Sequence, residues 1–147
     1  MIRAIDTNIL VYLVASDVPQ HAKSKRAIEE FLSRSRENRI AVTDDVLLEF
    51  VHVVTDPKRL KNPLKMAAAL DWAEAFWSGQ ETAPLLPSPM TFTRTVELLR
   101  AHGLSRKRIR DSMLAAVLEE NGVRELLTSN VADFQVFSFV KAIDPTR

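Results

Sequence analysis

Five short apolar runs are separated by longer segments with helical periodicity: Ile2 to Ile5, Arg39 to Val42, Thr82 to Leu86, Glu125 to Thr128 and Phe137 to Ile143. This alternation limits the fold more than any other feature of the chain. Antiparallel strands can be joined by a two-residue turn, but parallel strands need a crossover of a dozen or more residues, most often a helix. The expected architecture is therefore α/β, a three-layer α/β/α sandwich with a central parallel sheet of about four to five strands. Its crossovers should be right-handed. A chain of 147 residues is long enough for a real core and suits a single domain spanning residues 1–147.

The segments between the strands carry readable start and stop signals. Asp6-Thr7-Asn8 opens a helix through Val14, with acceptor side chains at its beginning. His21 to Ser35 is helical and mostly charged, with Ala22, Ala27, Ile28, Phe31 and Leu32 as its apolar positions. Thr43 is placed to cap Asp44 to Val54, with Asp44 and Asp45 favourably set in the first turn. That helix is apolar nearly all round, which predicts deep burial. Asp56-Pro57 ends it, and Lys58 to Asn62 is a basic loop. Pro63 to Trp77 is Ala-rich, with Trp72 and Phe76 at i, i+4 spacing expected in the core or an interface. Met90 to His102 and Ile109 to Glu120 complete the helices, with Gly103 and Asn121-Gly122 at their ends.

Four acidic residues stand at or near the ends of these elements: Asp6, Glu49, Asp111 and Asp133. Each adjoins sequence apolar enough to be core, and a carboxylate beside a core is unfavourable unless something pairs with it. In an open parallel sheet, ligands bind beyond the carboxyl ends of the strands where strand order reverses. Asp6 directly follows strand one and Thr128-Ser129-Asn130 directly follows strand four. Carboxylates converging there would repel one another, and a divalent cation is the usual remedy.

Singly, each acid has an ordinary explanation. Asp6 would cap a helix, Glu49 would pair with a base, Asp111 would favour a helix dipole and Asp133 would sit in a turn. Asp44 and Asp45 are explained by first-turn capping and are left outside the site. Their absence of cysteine excludes disulfides, zinc–thiolate sites and thiol nucleophiles. His21, His52 and His102 are scattered, so neither a nucleophile triad nor a histidine pair is indicated. No leader or membrane-spanning run is visible, and a cytoplasmic location is expected.

The acidic segments resemble, in order and spacing, the motifs of PIN-domain ribonucleases, and most closely the VapC-type toxins of toxin–antitoxin pairs. Ala4-Ile5-Asp6-Thr7-Asn8-Ile9-Leu10-Val11-Tyr12 is similar to the N-terminal signature, and Leu48-Glu49-Phe50 to the second acidic motif. Asp111-Ser112-Met113-Leu114-Ala115-Ala116, approached through Gly103-Leu104-Ser105, is similar to the third. Thr128-Ser129-Asn130-Val131-Ala132-Asp133-Phe134 is similar to the fourth, although many relatives carry Asp where this chain has Asn130.

The resemblance implies a metal-dependent endoribonuclease using Mg²⁺ or Mn²⁺, with RNA as substrate, a small antitoxin protein as partner, and a homodimer. It implies Asp6 and Asp111 as main ligands and Glu49 as a ligand or orienter of the attacking water. Asp133 would be a second-metal or outer ligand, with Thr7, Asn8, Thr128 and Asn130 supporting them.

The net charge is only +1, so RNA binding must rest on local clustering. Arg106, Lys107, Arg108 and Arg110 immediately precede Asp111 and form the expected phosphate track, with Arg94 and Arg100 as its extension. Two rival readings fit the residues less well. An aspartate-based phosphatase needs a second Asp two residues after the first, and this chain has Asn8; a receiver needs an acidic pair and a late Lys in a pattern not evident here. An inactive PIN-like binding module is opposed by the intact Asp6, Glu49 and Asp111.

Overall fold

In the computed structural model, which describes residues 1–147, all five strands join one parallel sheet. The strands are β1 (Ile2–Ile5), β2 (Arg39–Thr43), β3 (Thr82–Leu85), β4 (Glu125–Leu127) and β5 (Lys141–Ile143). Their order is β3-β2-β1-β4-β5. Ala4 is the pivot of the sheet, in register with Ala41 on one side and Leu126 on the other. β3 is an edge strand, which is why Pro84, lacking an N–H to donate, is tolerated there.

The helices are α1 (Thr7–Val14), α2 (His21–Ser33), α3 (Asp44–Val54), α4 (Met66–Ser78), α5 (Thr91–Ala101), α6 (Ile109–Glu120) and α7 (Val131–Phe134). Strand order explains their placement. The chain steps outward from β1 to β2 to β3, then returns past β1 to β4 and β5. Right-handed crossovers in opposite directions put α1 to α4 on one face and α5 to α7 on the other. Packing agrees: α1 meets α2 and α3, α3 meets α4, and α5 meets α6. The reversal of direction lies at the β1/β4 junction, and this is where the polar residues gather.

Local chemistry sets the helix starts. The Asp6 side chain accepts from Thr7 N at 2.8 Å, and the Thr43 hydroxyl accepts from Val46 N at 3.1 Å. α4 begins three residues later than the sequence suggested. The stretch before it is pinned by Leu64 N donating to Val54 O at 2.7 Å, and Lys65 is extended. The fifth strand is shorter than expected. Phe137 instead lies in a turn and packs fully buried against Phe134 and Phe139.

The expected all-round burial of α3 is corrected. Val46, Leu47, Phe50, Val51, Val53 and Val54 face the core, but Leu48 is 68% exposed and His52 is exposed. α6 comes closer to that description, with Leu114 to Leu118 all buried. Phe76 stacks on the half-exposed Trp72 and meets Phe50 edge-on at 5.7 Å. Arg94 does not extend the basic track. It donates to both carboxylate oxygens of Glu119, at 2.6 and 3.0 Å, and thereby ties α5 to α6. No helix is long and apolar enough to cross a membrane.

Candidate active site

Asp6 leaves the end of β1 with its backbone still in the sheet, since Asp6 N donates to Leu127 O at 2.9 Å. Its side chain is nearly buried and fully bonded. Oδ1 accepts from Thr7 N, while Oδ2 accepts from the Thr128 hydroxyl at 2.7 Å and from Asn8 Nδ2 at 3.1 Å. Thr128 is fully buried, and its oxygen also accepts from Asn130 N at 3.1 Å. Asn8 Oδ1 accepts from Ser129 N at 3.0 Å. The ends of β1 and β4 are thus laced together around one carboxylate.

Glu49 comes from the exposed side of α3. The Thr7 hydroxyl lies 3.1 Å from its Oε2 and 3.3 Å from the Val46 carbonyl. Asp111 sits in the first turn of α6, where Arg108 Nε approaches its Oδ2 at 3.2 Å. Arg108 Nη1 also lies 3.8 Å from Asp133 Oδ1, and its Nη2 is buried without a hydrogen-bond partner. Arg110 turns the other way, to Asp45 Oδ1 at 2.8 Å and Glu49 Oε2 at 3.8 Å.

A cleft of about 490 Å³ unites these groups. Asp6, Thr7, Asn8, Glu49, Asp111 and Asn130 form its acidic wall, and Arg59, Arg106, Lys107 and Arg110 its basic rim. Asn130 lines the cleft and Asp133 does not. Burial pushes the Asp6 carboxyl above its ordinary pKa, hydrogen bonds from Thr128 and Thr7 oppose this, and the charge of Glu49 adds to it. Asp111 is likewise raised, first by burial and then by Asp6, against the opposing effect of Arg108. Glu49 disfavours ionisation of Asp6, and Asp6 that of Asp111, so acids gathered in this way mark a place where positive charge is wanted.

Asp6, Glu49 and Asp111 therefore meet at one cleft, as the sequence suggested. They do not form a ready-made cage: no three His, Asp or Glu side chains converge tightly enough to hold an ion without moving. Arg108 and Arg110 already engage Asp111, Glu49, Asp45 and Asp133. The four-residue basic track is thereby divided. Arg106 and Lys107 are exposed and make no ion pair, whereas Arg108 and Arg110 are committed to carboxylates.

Sequence reasoning missed three contributors. Asp45, assigned to capping, holds Arg110, and burial raises its pKa despite that partner. Arg59 reaches the cleft from the loop after α3. Tyr12 lines it too, and its i, i+4 spacing from Asn8 was the available signal.

Comparison with known proteins gives a consistent picture. The family model described as PIN domain matches residues 4–139. The chain is 29% identical to Ribonuclease VapC24 of Mycobacterium tuberculosis, over 97% of this chain and 95% of that protein. Among solved structures, Mycobacterium tuberculosis VapC20, a Sarcin-Ricin loop cleaving toxin, superposes with a TM-score of 0.70 at 19% identity, covering 96% of this chain and 98% of that one. VapBC-1 from nontypeable Haemophilus influenzae gives a TM-score of 0.70 at 19% identity, with 100% of both chains covered.

Proposed function

The chain belongs to the PIN domain family, and from that premise we propose that it is a divalent-metal-dependent endoribonuclease, the toxin of a toxin–antitoxin pair. One observation carries the reading. Asp6, Glu49 and Asp111, from three distant segments, line a single cleft whose rim holds the unpaired cations Arg59, Arg106 and Lys107. Acid at the centre and base at the edge suit a polyanion that must be held while one phosphate is cleaved.

The donor set fits a hard cation. It consists of carboxylate, hydroxyl and amide oxygens, with no cysteine or histidine on the cleft wall. Such ligands favour Mg²⁺ or Mn²⁺ over zinc or copper. Asp6 and Asp111 would hold the ion, with Glu49 and Asn130 beside them and Asp133 at the outside. When bound, a divalent ion supplies positive charge at the scissile phosphate and makes nearby water more acidic. The protein supplies the rest. Thr128, Thr7 and Asn8 fix the Asp6 carboxylate, and the Thr7 hydroxyl holds Glu49 where it can accept a proton from the attacking water. Arg106 and Lys107 bind neighbouring phosphates. Asp111 and Glu49 would hold the ion in competition with Arg108 and Arg110.

The partners follow from the same premise. A small antitoxin protein would be the partner and would cover the site; a toxin–antitoxin complex from Klebsiella pneumoniae is among the structural relatives. The active unit would be a homodimer acting in the cytoplasm. An apolar groove between α3 and α4, containing Leu48, Val51, Leu70 and Trp77, supports protein association.

The test is cleavage of single-stranded RNA by the purified protein with Mg²⁺, with Mn²⁺ and with EDTA. Cleavage with either metal and none in EDTA is expected, and EDTA-resistant cleavage would contradict the reading. A binding module without catalysis is the second reading. It draws on the arginine pairs that already neutralise Asp111 and Glu49, and it requires no cleavage under any condition.

A second expected result concerns Thr128. Thr128→Val keeps the shape of the buried side chain but removes the hydroxyl that donates to Asp6. Partners that orient a metal-holding group are worth roughly 10–100-fold in metal affinity or activity. A Mn²⁺ titration of cleavage should show a loss of that size, and an unchanged titration would remove Thr128 from the site.

A further inference from the structure

One part of the cleft has no role in phosphodiester hydrolysis. Beside the acids, part of its lining is apolar: Val11, Tyr12, Val18, Val53 and Leu60. Val11 and Val53 are buried. Tyr12 and Leu60 are only half-buried, so they keep apolar surface open to the cleft. Water-exposed apolar surface is costly, and a metal ion and a phosphate would not cover it. The whole cleft, at about 490 Å³, has the size of a small-molecule pocket and exceeds what one phosphate needs.

The surface is held in place. His21 Nδ1 donates to the Tyr12 carbonyl at 2.8 Å, fixing the last turn of α1. The loop carrying Leu60 is closed on itself and on its neighbours. Asp56 Oδ1 accepts from Lys58 N at 2.8 Å, and Leu60 N donates to Asp56 O at 3.1 Å. Asn62 Nδ2 donates to Asp17 Oδ2 at 3.0 Å, and Leu64 N reaches back to Val54 O. Arg59, exposed and without an ion pair, is presented by this same loop.

We propose that Tyr12 and Leu60, with Arg59 at the rim, form a nucleobase subsite that seats the base next to the scissile phosphate. An aromatic ring, an aliphatic side chain and a guanidinium are the groups on which unstacked bases of single-stranded RNA are held. The apolar wall covers the base, the Arg59 guanidinium meets its phosphate or stacks on its face, and the acids reach the bond to be cut. The subsite favours RNA whose bases are already splayed out, as in loops, over a paired duplex. This inference rests on the endoribonuclease reading and deepens it.

The test uses a short single-stranded RNA with one 2-aminopurine base, and Ca²⁺ in place of the catalytic metal to suppress cleavage. Wild type and Tyr12→Phe should bind with quenching of the fluorescent base. Tyr12→Leu, which keeps apolar bulk but has no ring, should bind about 5- to 150-fold more weakly, the range of one base–aromatic stack, and lose the quenching. An abasic nucleotide at the same position should weaken wild-type binding similarly, and this arm needs no variant. Leu60→Ser, on the loop, gives a second arm should Tyr12→Leu fail to fold. If intact and abasic RNA bind wild type equally well while cleavage with Mn²⁺ stands, the subsite is overturned and the ribonuclease reading survives. If no RNA is bound or cleaved at all, both are overturned.

Discussion

Asp6→Asn should abolish RNA cleavage and leave the metal-free fold at least as stable as the wild type at neutral pH. The neutral amide keeps an oxygen for the Thr7 N–H and remains a good helix cap; it gives up the oxygen that accepts from Thr128 and Asn8, a loss set against relief from burying a charge. The loss in rate should be at least the roughly 10²–10³-fold that removal of one preorganised charge-stabilising group costs an enzyme. The stability effect has a definite sign. Burial holds the folded pKa of Asp6 above its ordinary value. Between the unfolded and folded pKa values the native state binds a proton that the unfolded state lacks. The penalty for ionising Asp6 is therefore absent below the unfolded value, grows as pH rises through the folded value, and is complete above it. Thermal melts in EDTA should show the variant's advantage at pH 7 and its disappearance in acid. A large loss of stability at pH 7 would mean that Asp6 is a structural acid.

Removing Arg59, Arg106 and Lys107 together should weaken RNA binding about 10–100-fold near physiological salt and lower the salt slope by about two units, from ~0.7 per phosphate contact. These are the rim cations without a carboxylate partner, so their charge is free for phosphate. Much of the loss should be independent of RNA sequence, as expected for backbone contacts. RNA affinity against salt with Ca²⁺ checks this, and an unchanged slope would return these residues to ordinary solvated surface. Arg108 does not belong in that variant. It spans Asp111 and Asp133, and its removal would change the acids rather than the track.

The fate of the basic run shows how far a sequence can be read. Of the four cations beside Asp111, Arg106, Lys107 and Arg110 line the same cleft, because proximity in sequence guarantees proximity in space. That proximity did not say which cations would pair with carboxylates. Arg108 and Asp111 are three apart at a helix start, a spacing that puts both on one face and favours their pairing. Arg110 points elsewhere and is captured by Asp45, a residue 65 positions away.

What the sequence determined by itself is what depends on near neighbours. The strand at Ile2–Ile5, the Asp6 and Thr43 caps and the span of α6 each follow from a few adjacent side chains and their backbone. The parallel sheet follows as well, because alternating strands and long crossovers leave few other ways to bury both. The position of Asp6 and Thr128 beyond strand ends was legible for the same reason. Tertiary structure alone decided the pairing of Thr128 with Asp6 across 122 residues and of Thr7 with Glu49 across 42. It also set Asn130 rather than Asp133 on the cleft wall, left Leu48 exposed, and brought Tyr12, Arg59 and Leu60 to the acids. Those outcomes depend on how the crossovers place distant elements side by side. A carboxylate's partner is whichever group arrives within hydrogen-bonding distance, and that is a property of the packed chain and not of any one segment.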